Sequence, residues 1–352
     1  MGYEVKVLAD SINIQGNRLT TLQETYPRLV HAERMTHRIH SKNSASTRAI
    51  PLATQISNLL DNPFIPEKFG INQPGMQSFK HLEGEKHDDA VQGWLTGRDR
   101  ALTTTIELIL GREMAADLFE YDPQREFVSG DVMQEKSGEL KALLPKSTDQ
   151  VDLSETSMLN VHKQLAGRGL EAYMWHTIVV TGTEWGNYLA LRDHPEAQGE
   201  IATVARMGRA AMLSSTPREL RYGEWHLPYV EPDEFEDVAD AIRASAARAA
   251  AVSYNRQNTK NFDSEVTRYE SLRSGGHMSP LEHQATPFSN EEWHIRERMG
   301  DIGLTAARQA GFSDSHRLQL AEMTRFNGNF KGWTQHRKQI EGEDDFSKLR
   351  AN

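Results

Sequence analysis

The chain has 352 residues, of which 38% are hydrophobic, so it is long enough to bury a sizeable core in one large domain or two ordinary ones. Its 40 basic and 50 acidic residues give a formal charge of -10, which argues against a general nucleic-acid coat or a partner of anionic membranes and makes any anion site a local one. There is no cysteine, which excludes disulfides, thiolate metal sites and a cysteine nucleophile and leaves serine, carboxylates, histidine or a cofactor for chemistry.

The opening MGYEVKVLADSINIQGN lacks the pattern of a signal peptide, Lys6 stands where a myristoylation signal needs Ser or Thr, and no apolar run is long enough to span a bilayer. A soluble, cytoplasmic protein is expected. RLTTLQET from Arg18 to Thr25 is β-prone; Tyr26-Pro27 closes it, and VHAERM resumes as a helix. Residues 36–51 are basic and hydroxyl-rich without an apolar period, so they read as a loop before a helix beginning near Pro51. Residues 60–85 read as an irregular connection, 90–119 as a long helix or helix pair, 130–154 as a polar surface connection and 158–175 as helical. TIVVT, from Thr177 to Thr181, is a short buried strand or the end of that helix. Two helices, 184–192 and 196–212, flank a turn whose Pro195 suits a first helical turn.

A helix over 234–251 should bury Val238, Ile242 and Ala246. Another starts with an N-cap at Asp263 or Ser264 and ends at Gly275-Gly276, and a last one covers 290–310 before a charged extension, 312–352. The whole reads as a helix-rich α/β or α+β fold, a single domain over 1–352.

Three blocks carry chemistry. In the first, Thr36-His37-Arg38 is followed, after seven residues, by Ser46-Thr47-Arg48. Arg38 and Arg48 offer planar forks for phosphate, with Ser41, Asn43, Ser44 and Ser46 as short polar groups between them. The alternatives are a solvated basic loop, or a metal site from His31, His37 and His40, for which no carboxylate sits at a completing spacing. The second block runs from Thr183-Glu184-Trp185-Gly186-Asn187 to Arg192. Five residues along a helix set Asn187 and Arg192 about 140° apart, so they could line adjoining subsites or simply belong to an amphipathic helix. The third is Ala250-Ala251-Val252-Ser253-Tyr254 with Gly276-His277-Met278-Ser279-Pro280-Leu281-Glu282-His283, which on its own reads equally as a capped turn.

Together these blocks resemble the flavin-dependent thymidylate synthases, whose signature is Arg-His-Arg, seven residues, then Ser-x-Arg. Here Thr36 replaces the first arginine, Glu33 stands where glutamine is usual and Ser44 where glutamate is usual. The resemblance implies that His37, Arg38, Asn187, Ser253, His277, Ser279 and Glu282 bind or shape the site of FAD. It likewise assigns Ser46, Arg48, Arg168 and Arg192 to dUMP, Arg192 also acting in catalysis. It further implies methylenetetrahydrofolate and NADPH as co-substrates, the family's α/β fold, and a homotetramer with shared active sites, with no nucleic-acid or membrane partner. In the family the third block precedes the Arg-His-Arg signature, whereas here it follows by more than 200 residues. A circular permutation accounts for the order, because permutation preserves packed contacts. It requires Gly276–His283 to lie beside Arg18–Thr25, and His277 and Ser279 to share a pocket with His37 and Arg38. A hydroxymethyl product in place of a methyl one, or a flavin- or nucleotide-binding protein without catalysis, are the other readings.

Overall fold

The computed structural model describes residues 2–75, 78–144, 158–254, 261–290, 293 and 328–343. Its scaffold is an α+β arrangement around a five-stranded mixed sheet. Strand β1 (Glu4–Asn13) turns through Gly16, whose φ of 80° suits glycine, into β2 (Arg18–Pro27). The Asn13 side chain closes that turn by accepting the backbone N–H groups of Gln15 and Asn17. Then come α1 (His31–Met35), β3 (Ser41–Ser44), α2 (Leu52–Asp61), α3 (Glu85–Leu110), α4 (Arg112–Phe119), α5 (Gly130–Glu135), α6 (Ser137–Leu143) and α7 (Lys163–Ala166). After these follow β4 (Trp175–Gly182), α8 (Gly186–Arg192), α9 (Gly199–Ser214), β5 (Arg218–Leu220), α10 (Val238–Ala250), α11 (Phe262–Ser274), β6 (Ala285–Pro287) and β7 (Trp333–Gln335).

The large sheet has the order β3-β4-β2-β1-β5, antiparallel except for the β1–β5 pair, and β3 is an edge. Alternation along β2 explains how both faces are covered. Leu22 and Tyr26 join Ile178 and Val180 of β4 under Trp185, Tyr188 and the apolar side of α9. Leu19 points the other way, into a cluster with Leu220, Ala285, Phe330 and Trp333. A separate helical core gathers Leu52, Ile56 and Leu59 of α2, at i, i+4 and i+7, with Leu102 and Ile106 of α3 and Leu140 of α6. Gly111 breaks α3 from α4 at φ 83°, a conformation that L side chains rarely adopt.

Several sequence expectations need correction. Residues 130–143, read as irregular, form α5 and α6, with Ser129 capping the first. The helical reading of 158–175 shrinks to α7 and a 3-10 stretch, Gly167–Tyr173, because β2 pairs with the chain from Trp175 onward. Residues 36–51 are not all loop, since β3 lies within them, and β2 runs on through Pro27. Pro195 sits in a turn before α9, Val238 is exposed at the start of α10, and the cap of α11 is Asn261, which accepts from the Ser264 N–H. Of the extension 312–352, residues 328–343 are built into the fold: β7 pairs with β6, and Phe330 and Trp333 are fully buried. Asn13 Nδ2 donates to the Gly332 carbonyl at 3.0 Å, so this segment also grips β1. The helix expected over 290–310 lies outside the described residues, apart from Asn290 and Trp293.

Candidate functional site

The first block wraps the sheet edge. Arg34 of α1 points inward and forms a bidentate pair with Glu24 of β2, at 2.7 and 2.9 Å, both side chains only 1% exposed. Its guanidinium stacks 4.1 Å from the Tyr188 ring centroid, which ties α1, β2 and α8 together. A pair this deeply buried cannot lose one partner cheaply. It fixes the turn that follows, where His37 is buried with its ring edge-on to Tyr188 at 5.0 Å. His37 Nε2 accepts the Nε–H of Arg192 at 3.0 Å, so the neutral ring carries its proton on Nδ1. Burial, with help from the cations Arg34, Arg192 and Lys42, pushes the His37 pKa down to about 4. Arg38 and Arg48 are exposed, and neither has a side-chain partner among the described residues.

The second block lies in place beside it. Trp185 anchors the start of α8 by donating to the Gly182 carbonyl. Asn187 is exposed in the first turn, and Arg192, in the last, also pairs with Glu33 at 3.0 Å. Arg192 therefore joins the first two blocks directly. Arg168, by contrast, reaches the far end of the first block: it pairs with Glu171, which accepts the Thr47 hydroxyl at 3.2 Å and pairs with Arg28. Thr47 stands between Ser46 and Arg48, so these proposed nucleotide ligands share one neighbourhood.

The third block meets the same edge from the other face of the sheet. Ser279, in a 3-10 turn Ser279–Glu282, donates to Asn43 Oδ1 of β3 at 3.1 Å, and Asn43 in turn donates to the Ala249 carbonyl. Glu282 is paired with Arg337, and His277 is exposed. Val252 packs on Ala45 and Val179, while the Ser253 side chain lies outside the described residues. His283 Nδ1 bonds to Thr181 Oγ1 at 2.8 Å, and Thr181 to Thr21 of β2 at 2.7 Å. The segment Gly276–His283 thus lies against β3 and reaches β2 through one residue of β4, not directly beside it as the permuted order requires. Ser279 on Asn43 and His37 on Tyr188 stand on opposite faces of the sheet, so the expected shared pocket is not formed by these contacts.

Sequence reasoning missed the inner layer of this site. A buried chain of polar groups, Ser11, His226, Thr21, Thr181 and His283, crosses one face of the sheet through hydrogen bonds of 2.7 to 2.9 Å. Burial pushes the pKa values of both histidines down to about 3. The one signal was the alternation of Thr21 with the apolar residues of β2. Lys42 of β3 donates to the His37 carbonyl, and Glu24, Arg34 and Tyr188 supply the frame. None of these belongs to a motif triplet. Lys42 lies in β3, Arg38 and Arg48 in the segments that flank it, while Arg192 is paired with Glu33 and His37 and Arg168 with Glu171. The buried Tyr188 hydroxyl has no hydrogen-bond partner among the described residues. Among the described residues no group of three His, Cys, Asp or Glu side chains is placed to hold a metal, and no helix is long and apolar enough to cross a membrane. No protein-family model matches the chain, and no curated protein matches it.

Proposed function

We propose that this chain is a flavin-dependent enzyme that transfers a one-carbon unit from methylenetetrahydrofolate to C5 of dUMP, with a thymidylate synthase fold of the flavin type in circularly permuted order. The observation that carries the reading is the meeting of three sequence blocks on one sheet edge: Arg192 bonds to His37, and Ser279 bonds to Asn43, although the paired residues lie 155 and 236 positions apart.

In this reading FAD, when bound, supplies the hydride chemistry, with NADPH as reductant, and no protein nucleophile is needed. Arg38, Asn187 and His277 are exposed donors available to the cofactor, while His37, Ser253, Ser279 and Glu282 shape its seat. Arg48, Ser46 and Arg168 take the nucleotide phosphate. Arg192, whose fork is shared with Glu33 and His37, orients the base and stabilises negative charge on its carbonyl oxygens. A homotetramer with active sites shared between chains belongs to the same proposal.

The test is to record the visible spectrum of the purified chain with added FAD, then incubate it with dUMP, methylenetetrahydrofolate and NADPH and weigh the nucleotide. Flavin absorbance near about 450 nm and a methylated product are expected. A hydroxymethylated product would assign the sister reaction. Bound FAD and dUMP without turnover would leave a binding protein, and a chain that takes up neither would overturn the reading.

A further inference from the structure

We infer that Lys42 is a further ligand-binding residue of this site, its ammonium taking a carbonyl oxygen of a bound 2,4-dioxopyrimidine ring, either the uracil of the nucleotide or the equivalent edge of the flavin. The inference rests on the function proposed above. Lys42 occupies the edge strand β3, facing Val180 across the ladder, and among the described residues no strand pairs with the other side of β3. It sits between the two blocks: its Nζ donates to the carbonyl of His37, and its neighbour Asn43 receives the hydroxyl of Ser279.

A lysine ammonium has three N–H donors and one full charge. Here a single neutral carbonyl takes one donor, and among the described residues Lys42 forms no ion pair. The nearby carboxylates are already committed, Glu24 to Arg34 and Glu282 to Arg337. A half-buried cation left with spare donors is under-compensated, and an electron-rich oxygen is the group that completes it. The charged and titratable groups that act on it come from every surrounding element: Glu24 of β2, His31 and Arg34 of α1, His37 and His40 of the next turn, and Glu282. The three histidines are neutral at ordinary pH, because burial holds each at about 3 to 4. Burial first, then Arg34, lowers the Lys42 pKa to about 8. The ammonium is thus the form present near neutrality, and it is lost as pH rises through 8 and above.

The experiment titrates FAD and dUMP separately into the full chain, as wild type, Lys42→Met and Lys42→Arg, at about pH 7 and about pH 9, where a group of pKa 8 changes its charge by about tenfold. For one of the two ligands the wild type should lose several-fold affinity on going to the higher pH. Lys42→Met should bind that ligand about tenfold more weakly at the lower pH and show no such loss. Lys42→Arg should bind well and stay flat, because a guanidinium keeps its proton. Which ligand responds identifies the ring. Wild-type affinity and pH dependence retained by Lys42→Met for both ligands would overturn the assignment of Lys42 alone. A wild-type chain that binds neither ligand overturns the function and this inference with it. If Lys42→Met does not fold, a pH-dependent loss in Lys42→Arg equal to that of wild type would still refute the inference.

Discussion

Arg192 donates its Nε–H to Nε2 of His37 at 3.0 Å, and through that bond the last turn of α8 holds the turn after α1. The charge of Arg192 is one cause of the low His37 pKa, behind burial and Arg34. Arg192→Ala should therefore raise that pKa from about 4 toward the ordinary imidazole value, followed by NMR titration of the His37 ring. The same change should cost about 1 to 2 kcal/mol of stability, from the loss of hydrogen bonds to His37 and Glu33. An unmoved His37 titration would show that the contact does not exist in solution.

Arg48 provides the cleaner test of nucleotide binding, because its exposed side chain has no partner among the described residues to lose. Arg48→Ala should leave the melting temperature unchanged while weakening dUMP binding by about 1.5 to 3 kcal/mol in calorimetry. Equal dUMP affinity in the variant would remove Arg48 from the site. Arg168→Ala should differ from it by also loosening Glu171, which Arg168 shares with Arg28 and Thr47.

Acid should unfold this chain early. His40, His226 and His283 are buried, and their pKa values are pushed down to about 3 by burial, from 6.5. Below pH 6.5 the unfolded chain takes up protons that the folded chain refuses, so stability is full above that point and drains as pH falls toward 3. At pH of about 4.5 each histidine costs on the order of 2 to 3 kcal/mol, so the three together remove a large share of the stability of a typical domain. Circular dichroism should show the transition above about pH 4. Native ellipticity at that pH would contradict the buried-histidine chain.

Trp333 is fully buried among Leu19, Leu220, Ala285 and Phe330. Trp333→Ala should destabilise the chain by about 3 to 5 kcal/mol in urea unfolding. A change below about 1 kcal/mol would mean that residues 328–343 are only loosely applied to the sheet.

Local pattern made some of this architecture legible. The β-prone run of β2, the apolar spacing across α3 and α4, the helices α8 and α9 and the Gly275-Gly276 stop all follow from periodicity or turn chemistry. The edge strand β3 was not legible, because Ser-Lys-Asn-Ser has no apolar alternation; an edge strand that carries a site puts polar groups on both faces. The 3-10 stretch before β4 has helical composition, but pairing with β2, some 150 residues earlier, decides its end. At the candidate site, the motif spacing singled out His37 and Arg192, which bond to each other, and Ser279, which bonds to Asn43. The groups that frame His37, namely Glu24, Arg34 and Lys42, were invisible because each acts through a partner on another element, and so was His226, which bonds to Ser11 and Thr21 more than 200 residues earlier.

The bond from Asn13 to the Gly332 carbonyl closes a loop of 319 residues, and the pairing of β6 with β7 completes the cover over β1 and β2. Ribosomal synthesis at about 5 to 20 residues per second separates the emergence of those two partners by roughly 15 to 65 seconds. For nearly all of that interval Leu19 lacks the Phe330 and Trp333 side chains that shelter it. The nascent chain thus leaves this apolar sheet face uncovered until residues 330–333 have been made, the order of folding that long-range pairing imposes.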